Sequence, residues 1–412
     1  MSREVTIARL GAQGDGIAET GNGPLFVPFT LPGEVVRADL FEGEKRGTPL
    51  EILKASDERA KPPCPHFGAC GGCELQHASP AFYAEYKRGI VIDALSRHGI
   101  EADVAPLVPC APGTRRRVTL TAVRAGPKAL LGFHEAHSDR VVPIGPCPVA
   151  MPGIVDALPA LEKLATILID RKAPLKLTVT QTDAGLDIAA SDAAKLSEER
   201  HRQAVSHALA SKFARLSSNG EILMKARLPQ VFFGGIAVEP PPGGFLQAVA
   251  AAEDAMAERV LKHLAKAKRV ADLFAGSGAF TLRLAKGAKV HAVESEAGAL
   301  AALDAAARQA SGLKPITHER RDLYRRPLTV KDLKPYDGVV FDPPRAGAEG
   351  VAQALAASTV KRIAAVSCNP QTLGRDLRIL IDGGFQLKSV TPIDQFLWSH
   401  HVEAVALLER GR

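Results

Sequence analysis

No apolar run in this 412-residue chain approaches the ~18 to 20 residues that a bilayer-spanning helix needs, which excludes a helical membrane protein. The opening stretch MSREVTIARLGAQGDG has no apolar centre of the kind an export signal carries, so a cytoplasmic chain with no membrane partner is expected. Cysteine is scarce too. Six residues in 412 cannot build the dense disulfide framework of a small secreted domain, and in a reducing compartment clustered cysteines bind metal or do chemistry. Internal repeats and low-complexity tracts are absent, which excludes solenoid and disordered architectures. A large charge excess is also missing: 52 basic against 45 acidic side chains leave +7, a mild pull toward a polyanionic partner.

The distribution of charge is more informative. Residues 1–58 carry six basic and ten acidic side chains, residues 59–243 carry 22 and 17, and residues 244–412 carry 24 and 18. The basic excess therefore lies in the last two segments. Arg115, Arg116 and Arg117 are consecutive, and Arg320, Arg321, Arg325 and Arg326 crowd seven positions. Each run is a candidate phosphate contact, with a solvated surface as the alternative.

Patterning divides the chain in three. Residues 1–58 read as short β segments (VTIARLG, PLFVPF, GEVVRADLF, GTPLEILKA) broken by glycine-rich turns, the pattern of a small β-barrel. Residues 59–243 hold a proline-rich start, a cysteine cluster and an apolar-periodic helix over 80–98 closed by Gly99. Strands then alternate with helices near 154–171 and 192–212, an α+β pattern. From about 244 a helix over 248–264 opens a regular alternation of strands and helices, the signature of a doubly wound parallel sheet and hence an α/β catalytic unit.

In that last unit, KRVADLF (268–274) is an apolar strand, AGSG (275–278) a tight turn, and 280–285 the start of a helix. Gly276 and Gly278 allow close backbone approach, and a helix N-terminus offers free N–H groups. A plain strand-to-helix turn is the structural alternative. The next strand ends in Glu294, 22 residues after Asp272, where a carboxylate can accept bonds from ribose hydroxyls. Thr281 replaces the third glycine of a dinucleotide fingerprint, which disfavours NAD. Asp272 and Phe274 in DLFAGSG, Glu294, and Asp322 in RRDLY together resemble the S-adenosylmethionine site of class I methyltransferases; for Asp322 a turn cap is the competing role.

Two further strand ends carry candidate chemistry. DGVVF runs into DPPR (342–345), whose prolines hold Asp342 rigidly at the ligand-binding edge of the sheet, and RIAAVS delivers Cys368 in SCNP to the same edge. A cysteine beside a methyl donor has a specific use. Pyrimidine C5 is a poor nucleophile, but thiolate addition at C6 makes C5 an enolate-like carbon able to attack the methyl group. A base must then remove the C5 proton, and Glu403 at the start of the last apolar strand fits, ahead of Asp394, His400 and His401.

The motifs DLFAGSGAFTL, FDPPRAGA, SCNPQTLGRDL and HHVEAVALLE, in this order, resemble the S-adenosylmethionine-dependent RNA uracil-C5 methyltransferases, with an N-terminal segment similar to the RNA-binding, OB-like TRAM domain. The likeness covers nearly the whole chain. It implies Cys368 as nucleophile, Glu403 as base, and Gln247 and Asp342 as contacts to donor or target base. Two departures stand out: Val249 replaces the usual Asn two residues after that Gln, and LWSH (397–400) replaces the usual Pro-His-Thr segment.

Cys64, Cys70 and Cys73 form C-x5-C-x2-C around Gly71 and Gly72, with Cys147 and Cys110 as possible fourth ligands. Spacing alone leaves iron-sulfur and zinc open. The resemblance implies a [4Fe-4S] cluster on Cys64, Cys70, Cys73 and Cys147, with Cys110 a free thiol. It also implies 23S rRNA as the RNA partner, because tRNA-directed relatives generally lack the cluster and the barrel; a monomer is expected. The alternatives are a tRNA uridine-C5 methyltransferase and a metal-containing RNA-binding protein without this activity. A radical S-adenosylmethionine enzyme is disfavoured by cysteine spacing, and an RNA cytosine-C5 enzyme by the single cysteine after residue 147.

Overall fold

The computed structural model describes residues 2–21, 23–40, 45–170 and 173–411; Phe41, the end of an expected strand, and Arg171, the end of an expected helix, lie outside them. Among the described residues the strands form two three-stranded sheets, two seven-stranded sheets and a hairpin.

The N-terminal segment builds its two small sheets from Ser2–Thr6, Val35–Leu40 and Gly47–Lys54, and from Arg9–Leu10, Gly16–Thr20 and Gly23–Val27. Ile7, Ala18, Leu25, Val27, Val36 and Ala38 fill its core. The strand Gly16–Thr20 was not among the expected segments, because glycine-rich turns on both sides mask its short apolar centre.

The middle sheet orders its strands as Glu221–Lys225, Arg215–Ser218, Gly185–Ser191, Leu175–Thr182, Arg117–Ala125, Lys128–His134 and Val141–Pro143. Helices Leu158–Leu168 and Glu198–Ala210 cover one face with Leu161, Leu164, Ala204 and Ala208. The helix Pro80–Ser96 behaves differently. Ser79 caps it, accepting from Phe82 N, and Pro80 occupies its first turn. Its buried residues Tyr83, Val91 and Leu95 pack into the core of the C-terminal sheet with Leu373, Leu377 and Val390. The following segment adds to that sheet's edge: Ala105 N donates to Val390 O and Val108 N to Pro392 O, both at 2.9 Å.

The C-terminal sheet has the order Ile316–Arg320, Lys289–Glu294, Arg269–Leu273, Gly338–Phe341, Arg362–Ser367, Glu403–Arg410, Phe385–Ile393. Numbered along the chain this is 3-2-1-4-5-7-6, a doubly wound core in which Glu403–Arg410 runs antiparallel to its neighbours. The expected α/β architecture with a small N-terminal β unit is present. No helix is long and apolar enough to cross a membrane among the described residues.

One local expectation fails. The helix after the glycine-rich turn spans only Thr281–Leu284, a single turn, so the ligand edge there is made by loop backbone rather than by a helix N-terminus.

Candidate active site

Strand order brings the ends of Arg269–Leu273, Lys289–Glu294, Gly338–Phe341 and Arg362–Ser367 to one edge, around a cavity of about 870 Å³. Gln247, Phe274, Gly276, Glu294, Asp322, Asp342, Cys368 and Glu403 all line it. Asp272 and Gly278 lie just behind this lining, Asp272 fully buried.

On the side of the glycine-rich turn, Asp272 Oδ2 accepts from Thr281 Oγ1 at 2.5 Å, while its Oδ1 is buried without a partner. Burial pushes the Asp272 carboxyl up to about 7, and the neighbouring Asp342 and Glu294 charges act in the same direction. Phe274 has φ +62°, a left-handed conformation that a phenylalanine adopts only where its surroundings impose it. Its ring lies 5.6 Å from Tyr324, which is about half exposed at the cavity mouth. Gly278 is required by packing: a Cβ there would meet Leu303 Cδ1 at 2.4 Å. Glu294 Oε2 accepts from Gly276 N at 2.9 Å and Oε1 from Ser295 N and Glu296 N, so this carboxylate holds the loop in shape. Asp322 caps its turn, accepting from Tyr324 N at 2.9 Å, while its side chain stays part-exposed at the rim. Here the capping role and a ligand-facing position coexist.

On the other side, Cys368 sits between the strand Arg362–Ser367 and the helix Pro370–Asp382. Asn369 caps this helix through Gln371 N and donates Nδ2–H to Arg345 O at 2.9 Å, tying SCNP to DPPR. Burial, with Glu403 and Asp342 nearby, pushes the Cys368 thiol up to about 11. Gln247 Nε2 donates to Asp342 Oδ2 at 2.8 Å. Glu403 is buried, with Oε1 accepting from Gln395 Nε2 at 2.6 Å and Oε2 unpartnered. Burial raises both Asp342 and Glu403 well above the ordinary carboxylate range, and Asp342's charge lifts Glu403 further.

The rival bases are otherwise engaged. Asp394 accepts from Lys87 Nζ and from Tyr83 OH, each at 2.7 Å. His400 faces Glu74 at 3.5 Å, and His401 is held by Arg345 at 3.0 Å, with burial pulling it down to about 3. Val249, where Asn was expected, is buried in an apolar cluster; the carboxamide beside Gln247 comes from Gln395 instead. Gln395 carried no local sequence signal.

The first basic run needs correcting at Arg116, while Arg320, Arg325 and Arg326 of the second are exposed. Arg116 is buried, bonding Glu253 Oε2 at 2.7 Å and Gln247 O at 3.0 Å, so it supports the site from within and is no surface contact. Arg117 is bonded to Gly243 O and Gly244 O. Arg115 stacks over Phe396 at 5.9 Å. Arg320 donates to Ser295 O, and Arg321 pairs with Glu319 and Asp332.

A second cavity of about 370 Å³ is lined by Cys64, Cys70, Cys73 and Cys147, and shares Arg115, Arg117, Arg345 and Phe396 with the first. The CPHFG loop is bound to the segment bearing Cys147 by Gly145 N donating to His66 Nε2 at 3.0 Å. Gly71 lets it approach the middle sheet: its N–H donates to His134 O at 2.9 Å, and a Cβ would meet Ala136 N at 2.8 Å. Four thiols around one small cavity suit a thiolate-bound inorganic centre. Burial, with the neighbouring thiols acting in the same direction, pushes Cys73 up to about 12 and raises Cys70. Among the described residues no three His, Cys, Asp or Glu side chains are grouped tightly enough for a single ion. Cys110 lies apart, beside Asp394.

Comparison with known proteins gives matches to the tRNA (Uracil-5-)-methyltransferase family over residues 234–411 and to the TRAM domain over residues 2–46. An uncharacterized RNA methyltransferase of Mesorhizobium japonicum is 55% identical over 412 residues, covering 100% of this chain and 99% of that protein. The 23S rRNA (uracil(1939)-C(5))-methyltransferase RlmD of Erwinia tasmaniensis is 31% identical, covering 98% and 96%. Among solved structures, the Pyrococcus abyssi tRNA (uracil-54, C5)-methyltransferase in complex with S-adenosyl-L-homocysteine superposes with a TM-score of 0.77 over 98% of this chain and 99% of that one. At 22% identity that likeness speaks to the fold alone.

Proposed function

The chain belongs to the RNA uracil-C5 methyltransferases, and from that premise we propose that it methylates C5 of a uridine in 23S rRNA, with S-adenosylmethionine as donor and a covalent Cys368 adduct on the path. The observation that carries this reading is the convergence of Cys368, Asp342, Gln247 and Glu403 on one cavity whose far end is formed by Phe274, Gly276 and Glu294.

The donor supplies an electrophilic methyl group. Glu294, Asp322, Asp342, Gln247, Phe274 and the backbone at Gly276 are the residues placed to hold it, with Gly278 and Asp272 shaping the loop from behind through Leu303 and Thr281. Cys368 Sγ, having given its proton to solvent, adds as thiolate to uracil C6, and the C5=C6 electron pair moves into the ring as an enolate so that C5 can take the methyl group. Glu403 then accepts the C5 proton, the double bond re-forms, and Cys368 leaves as thiolate. The unpartnered Glu403 Oε2 is the oxygen available for that proton.

We assign Cys64, Cys70, Cys73 and Cys147 to a structural [4Fe-4S] cluster, since methyl transfer needs no electron and these thiols line their own cavity. We also assign residues 1–58 to an RNA-binding barrel, 59–243 to the cluster-bearing RNA-binding unit, and 244–412 to the methyltransferase unit. The four-thiol cavity and the full-length likeness to RlmD favour rRNA over tRNA.

The test is to incubate purified protein and donor with unmodified large-subunit rRNA or tRNA and map the product. 5-Methyluridine in 23S rRNA supports the reading. Methylation of tRNA alone would transfer the substrate assignment, and no methyluridine in either would refute it.

A further inference from the structure

The Gln395 carboxamide makes three hydrogen bonds while almost wholly buried. Nε2 donates to Gln247 Oε1 and to Glu403 Oε1, each at 2.6 Å, and Oε1 accepts the Ala248 N–H at 2.8 Å. The Ala248 amide can only donate, so the Gln395 atom facing it must be oxygen, and the amino group must face the other two partners. Both amino protons are thereby committed. Gln247, its own oxygen occupied, turns Nε2 to Asp342. A polar chain Glu403–Gln395–Gln247–Asp342 thus runs along the wall of the cavity and joins the buried Glu403 carboxyl to the half-buried Asp342 carboxyl.

This chain has a fixed anchor. Asp394, the residue before Gln395, accepts from Lys87 Nζ, Tyr83 OH and Phe396 N, and Trp398 N donates to Tyr83 OH at 2.9 Å. The helix Pro80–Ser96 therefore sets where the Gln395 backbone lies.

We propose that Gln395 is a positioning residue for the base: it holds one oxygen of Glu403 so that the other meets the C5 proton, and it ties that geometry to Gln247 and Asp342. The inference rests on Glu403 being the base. An N–H donated to a carboxylate favours its ionised form. At Glu403 this opposes burial and the Asp342 charge and adds to the Arg345 charge, while the Cys368 thiol is the remaining titratable neighbour.

The experiment uses the full-length enzyme, donor and unmodified rRNA with Gln395→Leu and Gln395→Glu. Both should lose kcat on the order of 10²-fold through misplacement of the reacting group, with KM for RNA little changed. A methyl-bearing covalent RNA adduct should accumulate at neutral pH and be released as pH rises. The ascending limb of the pH profile should move upward in Gln395→Leu and further in Gln395→Glu, where two carboxyls share a proton; if the leucine variant does not fold, the glutamate variant carries the test. A merely structural role would lower the active fraction and leave the limb in place. An unmoved limb, a KM effect alone or no adduct would overturn the inference. If Glu403→Gln stalls and the Gln395 variants do not, only this inference falls; if Glu403→Gln turns over normally, the base assignment falls with it.

Discussion

Lys87 Nζ lies 2.7 Å from Asp394 Oδ1 with both side chains sealed from solvent, joining two residues 307 positions apart. The pair fastens the helix Pro80–Ser96 to the segment that carries Gln395. Removing one partner of such a pair leaves an uncompensated buried charge, which typically costs ~3 to 5 kcal/mol. Lys87→Met should therefore lower stability by about that amount in denaturant titration, and adding Asp394→Leu should recover a large part. A single-variant loss under ~1 kcal/mol, the range of exposed pairs, would contradict the buried geometry.

As the proposed base, Glu403 must be ionised to accept a proton, and burial together with Asp342 pushes it up to about 8. A group raised in this way is protonated at neutral pH. Release of the methylated adduct, the step that needs the ionised base, should accordingly speed up with pH through that region. A limb in the ordinary carboxylate range would contradict this. Because Asp342 titrates with Glu403, the observed limb belongs to the pair, and Asp342→Asn should move it downward.

Arg115 and Arg116 are adjacent in sequence and opposite in role. Arg116→Ala leaves Glu253 with Arg283 as its remaining cation, so it should lower the melting temperature without changing the salt dependence of RNA binding. Arg115 lines both cavities, and Arg115→Ala should reduce the slope of log affinity against log salt by about 0.7, one single-stranded phosphate contact. An unchanged slope would leave Arg115 a structural residue, bonded to Arg117 O and stacked on Phe396.

The thiol cavity makes a separate prediction. Anaerobically purified protein should be brown and contain iron and sulfide, and Cys147→Ser should lose both. Zinc without iron would overturn the assignment. The loop after Cys73 donates Glu74 N and Leu75 N to Trp398 O, each at 2.9 Å, so loss of the cluster should also raise hydrogen exchange in residues 394–401.

These features differ in how far the sequence discloses them. DLFAGSG, DPPR and SCNP were legible because each is a local event, an apolar strand followed by residues that stop it, and the doubly wound order carries all three to one edge. Within the Arg115 to Arg117 run Arg116 was misread, because three arginines look alike whether buried or exposed. What decides is Glu253, 137 positions away. Gln395 was missed for the same reason: its partners Gln247 and Glu403 meet only when the last antiparallel strand is in place. The strand-like edge at Val104 and Val108, paired with Val390 and Ile393, is too short to leave a period in the sequence.

In the proposed reaction Cys368 bonds to uracil before methyl transfer and Glu403 acts only afterward. A denaturing gel with labelled RNA tests it most directly. Glu403→Gln should yield a slow-migrating, methyl-bearing adduct and turn over ~10² to 10⁴-fold more slowly, the usual worth of a positioned base, while Cys368→Ala should form no adduct. An adduct that persists in Cys368→Ala, or normal turnover by Glu403→Gln, would contradict it.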